Sequence, residues 1–243
     1  MEAANRSAGF FGKVASHGDF VSRRLPASFL DVWDQWLQQG LNGSRARLGA
    51  DWHDAYMTGP VWRFALTSGT VDADTWFGVL MPSVDRVGRN FPLTIAAGTA
   101  DMPGAAPLLD WLQESAGWYD DVERLALSTL QDCFTLENFD KGVSMIGSIT
   151  PIAQMPCEDT ESFMICDDAQ WLPLSAIANA AARLHGLQQQ RGAHTLDGHS
   201  MWWSDGSERV RPCLLACRGL PSENQFTSML DRQWAASSVR ATA

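Results

Sequence analysis

Residues 78–94 place two apolar runs on either side of a short polar loop, and no other pattern in the chain constrains the fold as strongly. Pro82 has no backbone N–H and cannot continue the ladder of an interior strand, so the first run ends there. A second proline, Pro92, marks the start of the returning run. The segment therefore predicts two buried strands joined by a tight connection.

The predicted loop, residues 83–90, holds one carboxylate close to two guanidinium groups. Asp85 precedes Arg86 directly and Arg89 by four positions. Arginine forks bind carboxylate or phosphate, which favours an anion site or a partner-contact loop that also includes Ser83. The alternative is that Asp85 pairs with one of the two arginines and holds the loop shut.

The charge of the chain restricts its partners. The formal net charge is −10, and residues 110–168 alone hold thirteen acidic and two basic side chains, a local net charge of −11. Such a surface repels phosphate groups, so we expect neither nucleic acid nor an anionic membrane as the main partner.

The cysteines and the N-terminus indicate a cytoplasmic protein. There are five cysteines, an odd number, and none are spaced as C-x-x-C, which suits reduced thiols. The N-terminus lacks the apolar segment of a signal peptide. No run approaches the roughly 20 apolar residues of a spanning helix, so we expect no membrane insertion.

The hydrophobic patterns predict an α+β (mixed α/β) fold, with a largely antiparallel sheet flanked by helices. A first strand or extended arm is expected from residue 10, and further strands at residues 61–67, 75–81, 91–97, 143–149, 162–166, 200–203 and 211–218. Helices are expected at residues 28–48, 51–57, 105–130 with a break near 117, 174–190 and 221–234. The first of these helices begins with Ser28 and Asp31 at capping-box spacing.

The domain organisation expected from these patterns is simple. A single domain covers residues 9–234, with a possible sub-boundary near 98–106 or 135–142. Short segments of small and polar residues at 1–8 and 235–243 are expected to be disordered.

An enzymatic alternative rests on residues 9–19. Residues 9–13 lack the spacing of a phosphate-binding loop. Ser16, His17 and Asp19 are the residue types of a hydrolase triad, but triads are assembled in space and not in a row. A small hydrolase or nucleotide-binding enzyme using this arm, with His17 and Asp19, remains the alternative function.

Trp202 and Trp203 place one indole on each face of a predicted strand. At least one of them belongs to the core, and the other is a candidate contact anchor.

Several long blocks of sequence resemble a known family. Within residues 9–98 they read GFFGKVASHGDFVSRRLP, WDQWLQQGL, AYMTGPVWRFAL and GVLMPSVDRVGRNFPL, and within residues 199–234 they read MWWSDGS and LLACRGLPSENQF. These blocks resemble the TagF (also called ImpM) family of accessory proteins of bacterial type VI secretion systems.

The resemblance implies a cytoplasmic regulator that is not an enzyme and needs no cofactor. Members of the family repress the assembly or firing of the secretion system after translation, and they are associated with its forkhead-associated scaffold protein. We expect the partner contacts in the loop, in the arm at residues 12–20 and at the exposed tryptophan. The candidate contact residues are Lys13, His17, Asp19, Ser83, Asp85, Arg86, Arg89, Trp202 and Trp203.

Overall fold

A computed structural model describes residues 7–99, 115–146, 169–173 and 198–232, and within residues 169–173 it describes the side chain of Trp171 alone. The strands are β1 (Gly9–Gly12), β2 (Val21–Arg23), β3 (Trp62–Leu66), β4 (Thr75–Met81), β5 (Leu93–Thr99), β6 (Ala169–Pro173), β7 (His199–Ser204) and β8 (Cys213–Arg218). The helices are α1 (Ala27–Leu48), α2 (Trp52–Met57), α3 (Ala116–Ser128), α4 (Leu136–Met145) and α5 (Glu223–Leu230), and a 3-10 turn, Gly49–Asp51, joins α1 to α2.

The eight described strands form one antiparallel sheet in the order β2-β1-β5-β4-β3-β7-β8-β6. Strands β3, β4 and β5 pair consecutively as an antiparallel meander. The predicted α+β class with an antiparallel sheet is therefore confirmed.

Helices cover both faces of this sheet. Helices α1, α2 and α5 enclose one core, which is rich in tryptophan, and α3 and α4 enclose a second core on the other face. Strands β3, β4 and β5 are consequently buried along their whole length. This explains why their sequences are mostly apolar and do not alternate between apolar and polar residues. The one charged residue in them, Arg63 of β3, pairs with Asp120 and Glu123 of α3.

One predicted strand is wrong where the structure describes it. Residues 143–145 end helix α4. The Thr135 side chain caps this helix by accepting from the N–H of Asn138 at 3.3 Å. Phe139 and Val143 are four positions apart, and both are buried on the same side of helix α4. The apolar residues near 143 therefore follow the helical period.

The start of α1 also differs from the prediction. Its N-cap is Pro26, and no side chain caps it. The Ser28 hydroxyl donates to Asp72 at 2.9 Å, so Ser28 and Asp31 form no capping box. Ala8, one residue before the predicted start of the domain at residue 9, already packs against the rest of the protein. It is buried, and its carbonyl accepts from Arg24.

Other predictions lie outside the described residues. These are the helix at residues 174–190, the first half of the helix at 105–130, the strand at 162–166, residues 1–6, and the tail at 235–243. Of the two possible sub-boundaries, residues 100–106 lie outside the described part, and residues 136–142 belong to helix α4.

Candidate functional site

The loop between β4 and β5 is held at its base by α2. The Tyr56 hydroxyl donates to the carbonyl of Ser83 at 2.8 Å and accepts from the N–H of Ser83 at 2.9 Å. Burial raises the pKa of Tyr56 well above its ordinary value, so the hydroxyl keeps the proton that it donates. The hydroxyl of Ser83 is buried and donates to the carbonyl of Lys13 at 2.8 Å. Ser83 thus joins the loop to the arm and has no hydroxyl proton left for a ligand.

Asp85 is the centre of the loop. Its side chain is 0% exposed, and its Oδ2 accepts from the Nζ of Lys13 at 2.9 Å and from the Nε of Arg89 at 2.6 Å. Its Oδ1 accepts from the backbone N–H groups of Val87, at 3.0 Å, and Arg89, at 2.9 Å. The internal pair expected as an alternative is therefore present. It is made with Arg89 and not with Arg86, and a buried lysine joins it.

The charge state of Asp85 follows from these contacts. Burial alone would raise the pKa of its carboxyl. The hydrogen bonds from the backbone and side chain of Arg89, from Lys13 and from the N–H of Val87 outweigh that effect and hold the pKa well below its usual range. A carboxylate offers about four acceptor positions, and four donors occupy those of Asp85. Asp85 is therefore a structural carboxylate whose acceptor positions are all occupied.

The arm at residues 12–20, which precedes β2, is hydrogen-bonded to this loop. The carbonyl of His17 accepts from the N–H of Arg86 at 2.8 Å, and the carbonyl of Gly18 accepts from the Nη2 of Arg89 at 2.6 Å. The Nζ of Lys13 also lies 5.2 Å from the centre of the Phe20 ring. The arm and the loop therefore form one continuous polar network.

The structure brings together Ser16 and His17 of the alternative enzyme site, whereas Asp19 makes a different contact. The Ser16 hydroxyl lies 2.8 Å from the Nδ1 of His17, but Oδ1 of Asp19 accepts from the N–H of Phe20 at 2.8 Å. Strand β1 (Gly9–Gly12) pairs with β2 on one side and β5 on the other, so its backbone belongs to the sheet and does not surround a phosphate. His17 is half-buried and Asp19 is exposed.

The two tryptophans of β7 are both buried. Trp202 is 0% exposed, and its ring centre lies 5.2 Å from that of Trp36 and 5.1 Å from that of Phe64. Trp203 is 3% exposed and meets Tyr119 edge-on, at 4.8 Å between ring centres. The expected exposed indole does not exist, because helices cover both faces of the sheet at this strand.

The side chains that this end of the molecule does present are arginines and apolar groups. Arg86 is exposed, as are Val87 at the tip of the loop and Phe20 at the end of the arm. Met57 is exposed at the end of α2, and its Sδ lies 3.5 Å from the Nδ2 of Asn90. We call Phe20, Met57, Arg86 and Val87 the loop–arm surface. The predicted contact loop and arm include Phe20, Arg86 and Val87, but Arg86 alone of the four was named as a candidate contact residue. The position of Val87 between two arginines was a signal of its exposure.

Two general observations complete the site. Within residues 7–99, 115–146, 169–173 and 198–232, no helix has the length and apolar character needed to cross a bilayer. In the same residues no three His, Cys, Asp or Glu side chains are grouped as metal ligands would be.

Comparisons with known proteins agree with the sequence blocks. The family model described as the TagF N-terminal domain, type VI secretion system-associated, matches residues 9–146. The fold is similar to a crystal structure of PA0076 from Pseudomonas aeruginosa PAO1, with a TM-score of 0.69 and 38% sequence identity. That similarity covers 93% of this chain and 94% of the other. Comparison with curated proteins gave no match.

Proposed function

The chain belongs to the TagF family of type VI secretion-associated proteins, and on this premise we propose that it is a cytoplasmic accessory protein that represses the secretion system after translation. It acts by protein–protein contact, on the assembly or the firing of the apparatus. Its partner is the forkhead-associated scaffold protein of that system. The observation that carries the proposal is the family match over residues 9–146, which contains the whole loop and arm.

The chemistry of the loop and arm supports contact over catalysis. Asp85, Lys13 and Ser83 are buried and bonded to one another or to neighbouring backbone groups. A general acid or base needs a free acceptor or a mobile proton near a substrate, and these side chains offer neither. The exposed groups include the Arg86 guanidinium and apolar side chains, which are typical of protein interfaces.

Repression by contact follows from mass action. A protein that binds one state of its partner and not the other shifts the equilibrium between the two states. At a free concentration of about 100 times its Kd, the shift is roughly 2.7 kcal/mol. That is enough to lower the population of the competing assembled state about a hundred-fold.

The direct test is to delete the gene in a strain with an intact secretion cluster and to measure secreted proteins of the system. A repressor predicts increased secretion without a change in transcript levels, and restoration of repression by the wild-type gene. A decrease in secretion would mean that the protein assists assembly. Affinity capture of the scaffold protein by the tagged chain tests the partner separately.

The enzymatic alternative has its own test. A hydrolase or nucleotide-binding enzyme is stabilised by its ligand, because ligand binding raises the apparent melting temperature. We expect nucleotides and divalent metals to leave the melting temperature of this protein unchanged. A shift of several degrees with either would favour the enzyme.

A further inference from the structure

The two arginines of the loop have different surroundings, although they are three residues apart. Arg89 uses two nitrogens within the protein: Nε donates to Asp85 and Nη2 to the carbonyl of Gly18. The Arg86 guanidinium is exposed and makes no hydrogen bond or ion pair with the residues that the structure describes. Arg89 is therefore a positioning residue, and Arg86 is the cation left for a ligand.

The backbone beneath Arg86 is fixed before any partner arrives. Its N–H donates to the carbonyl of His17 at 2.8 Å. On the two sides of the turn, the N–H of Asp85 donates to the carbonyl of Arg89 at 3.1 Å, and the N–H of Gly88 donates to the carbonyl of Asp85 at 2.9 Å. A group presented from a rigid base loses less conformational entropy on binding than one on a mobile loop.

Apolar side chains lie at the same end of the molecule. Val87 is 68% exposed, Met57 46% and Phe20 45%, and together they are three of the seven large hydrophobic side chains exposed in the described residues. The Phe20 ring stacks on Phe11, at 5.6 Å between ring centres, and meets Phe91 edge-on at 4.7 Å. Phe20 is thus held in place while nearly half of it stays available.

The charges near this surface differ in whether they are paired. The exposed carboxylate of Asp54, three positions before Met57 on α2, pairs with Arg209 at 2.6 Å. Arg89 pairs with Asp85 at 2.6 Å, and Asp19 accepts from the N–H of Phe20 at 2.8 Å. Among the described residues of the loop, Arg86 is therefore the cation left to attract an acidic partner.

We propose that the loop–arm surface docks an acidic segment of a protein partner, with a carboxylate of the partner on the Arg86 guanidinium. An apolar side chain next to that carboxylate packs on Val87 and Phe20. Arginine forks match carboxylates in geometry, and an arginine beside aromatic and aliphatic contacts is the usual composition of a binding hot spot. This inference rests on the proposed function and names the chemistry of its contact.

The test uses the purified full chain and the immobilised forkhead-associated scaffold protein, with Kd measured at two salt concentrations. Arg86→Gln should weaken binding, and Arg86→Glu should weaken it further, by about ten-fold or more. The matched control is Arg218→Glu, since Arg218 is exposed and unpaired among the described residues but lies at the opposite end of the sheet. We expect its Kd to stay within about two-fold of wild type. All variants should keep the wild-type melting temperature.

Replacing the chromosomal gene with each variant gives a second readout that does not depend on the identity of the partner. Arg86→Glu should lose repression at a normal protein level, and Arg218→Glu should keep it. If Arg86→Glu binds as tightly as wild type, or represses as well, the docking proposal is wrong while the repressor role stands. If deleting the gene leaves secretion unchanged, the proposed function fails, and this inference fails with it.

Discussion

The Nζ of Lys13 lies 2.9 Å from the Oδ2 of Asp85, and the two residues are 72 positions apart in the chain. This buried ion pair joins the arm that follows β1 to the loop that precedes β5. Both partners have further contacts, because Asp85 also accepts from Arg89 and two backbone amides. The pair therefore fixes the geometry of the surface on which Arg86 and Val87 are presented.

The first prediction concerns the pH dependence of stability. The folded-state pKa of Asp85 lies below its unfolded value of about 3.9, so its carboxylate stabilises the fold above that pH. The stabilisation is lost as the pH falls through the folded-state pKa. The difference in unfolding free energy between wild type and Asp85→Asn should be constant from about pH 7 to 5 and shrink below about pH 4.

Urea unfolding at a series of pH values measures this difference. The matched control is Asp121→Asn, which removes the same charge from an exposed pair with Arg124 on α3. Asp121→Asn should differ little from wild type at any pH. A difference for Asp85→Asn that stays the same down to pH 2 would contradict the assigned role of the carboxylate.

The second prediction separates the two arginines by stability. Arg89→Ala removes hydrogen bonds to Asp85 and to the carbonyl of Gly18, and should lower the unfolding free energy by about 1 to 2 kcal/mol. Arg86→Ala removes no hydrogen bond or ion pair with the residues that the structure describes, and should change the unfolding free energy by less than about 0.5 kcal/mol. Chemical denaturation measures both, and equal effects would show that the two arginines have the same role.

The third prediction concerns the tryptophan-rich core. Trp202→Ala removes a fully buried ring that packs against Trp33, Trp36 and Phe64. We expect a loss of about 3 to 5 kcal/mol of unfolding free energy, because the surrounding rings cannot close the cavity. Val87→Ala, at an exposed position, should cost less than about 0.5 kcal/mol. A stable Trp202→Ala protein with weakened partner binding would restore the contact-anchor interpretation.

The fourth prediction compares two glycines that both have positive φ. Gly12 has φ of 141° and Gly88 has φ of 83°. A Cβ at Gly12 would overlap the carbonyl oxygen of Pro92, the residue before β5, whereas one at Gly88 would meet open space. Gly88→Ala should cost about 1 to 2 kcal/mol, for the backbone conformation alone. Gly12→Ala should cost clearly more and reduce the folded yield. The melting temperatures of the two variants check this order.

Local patterns predicted the elements that are long and regular. Strand β4 occupies the predicted residues 75–81, and β3 and β8 lie within their predicted ranges. Their apolar runs are bounded by proline or turn residues, which is a local signal. The cysteines were predicted to be reduced thiols, and Cys213 and Cys217 are free and buried on β8. Burial raises the pKa of each, as expected for structural cysteines.

Two short strands, β2 and β6, were not predicted. Strand β2 has three residues and exists because it pairs with β1. The capping box expected at Ser28 is found instead at Ser222, at the start of α5. The Ser222 hydroxyl accepts from the backbone N–H of Gln225, and the Gln225 side-chain carbonyl accepts from the backbone N–H of Ser222. Ser28 and Ser222 thus have different roles, because the Ser28 hydroxyl donates to Asp72.

The sequence alone determined the α+β class, the strand–loop–strand segment and the resemblance to the TagF family, since each depends on residues that are neighbours in the chain. The tertiary structure decided which charges are free. Asp85 accepts from Arg89 and Lys13 and leaves Arg86 exposed, and helices on both faces of the sheet bury Trp202 and Trp203. The physical reason is that burial and pairing depend on groups brought together from distant parts of the chain, and a local pattern carries no information about them.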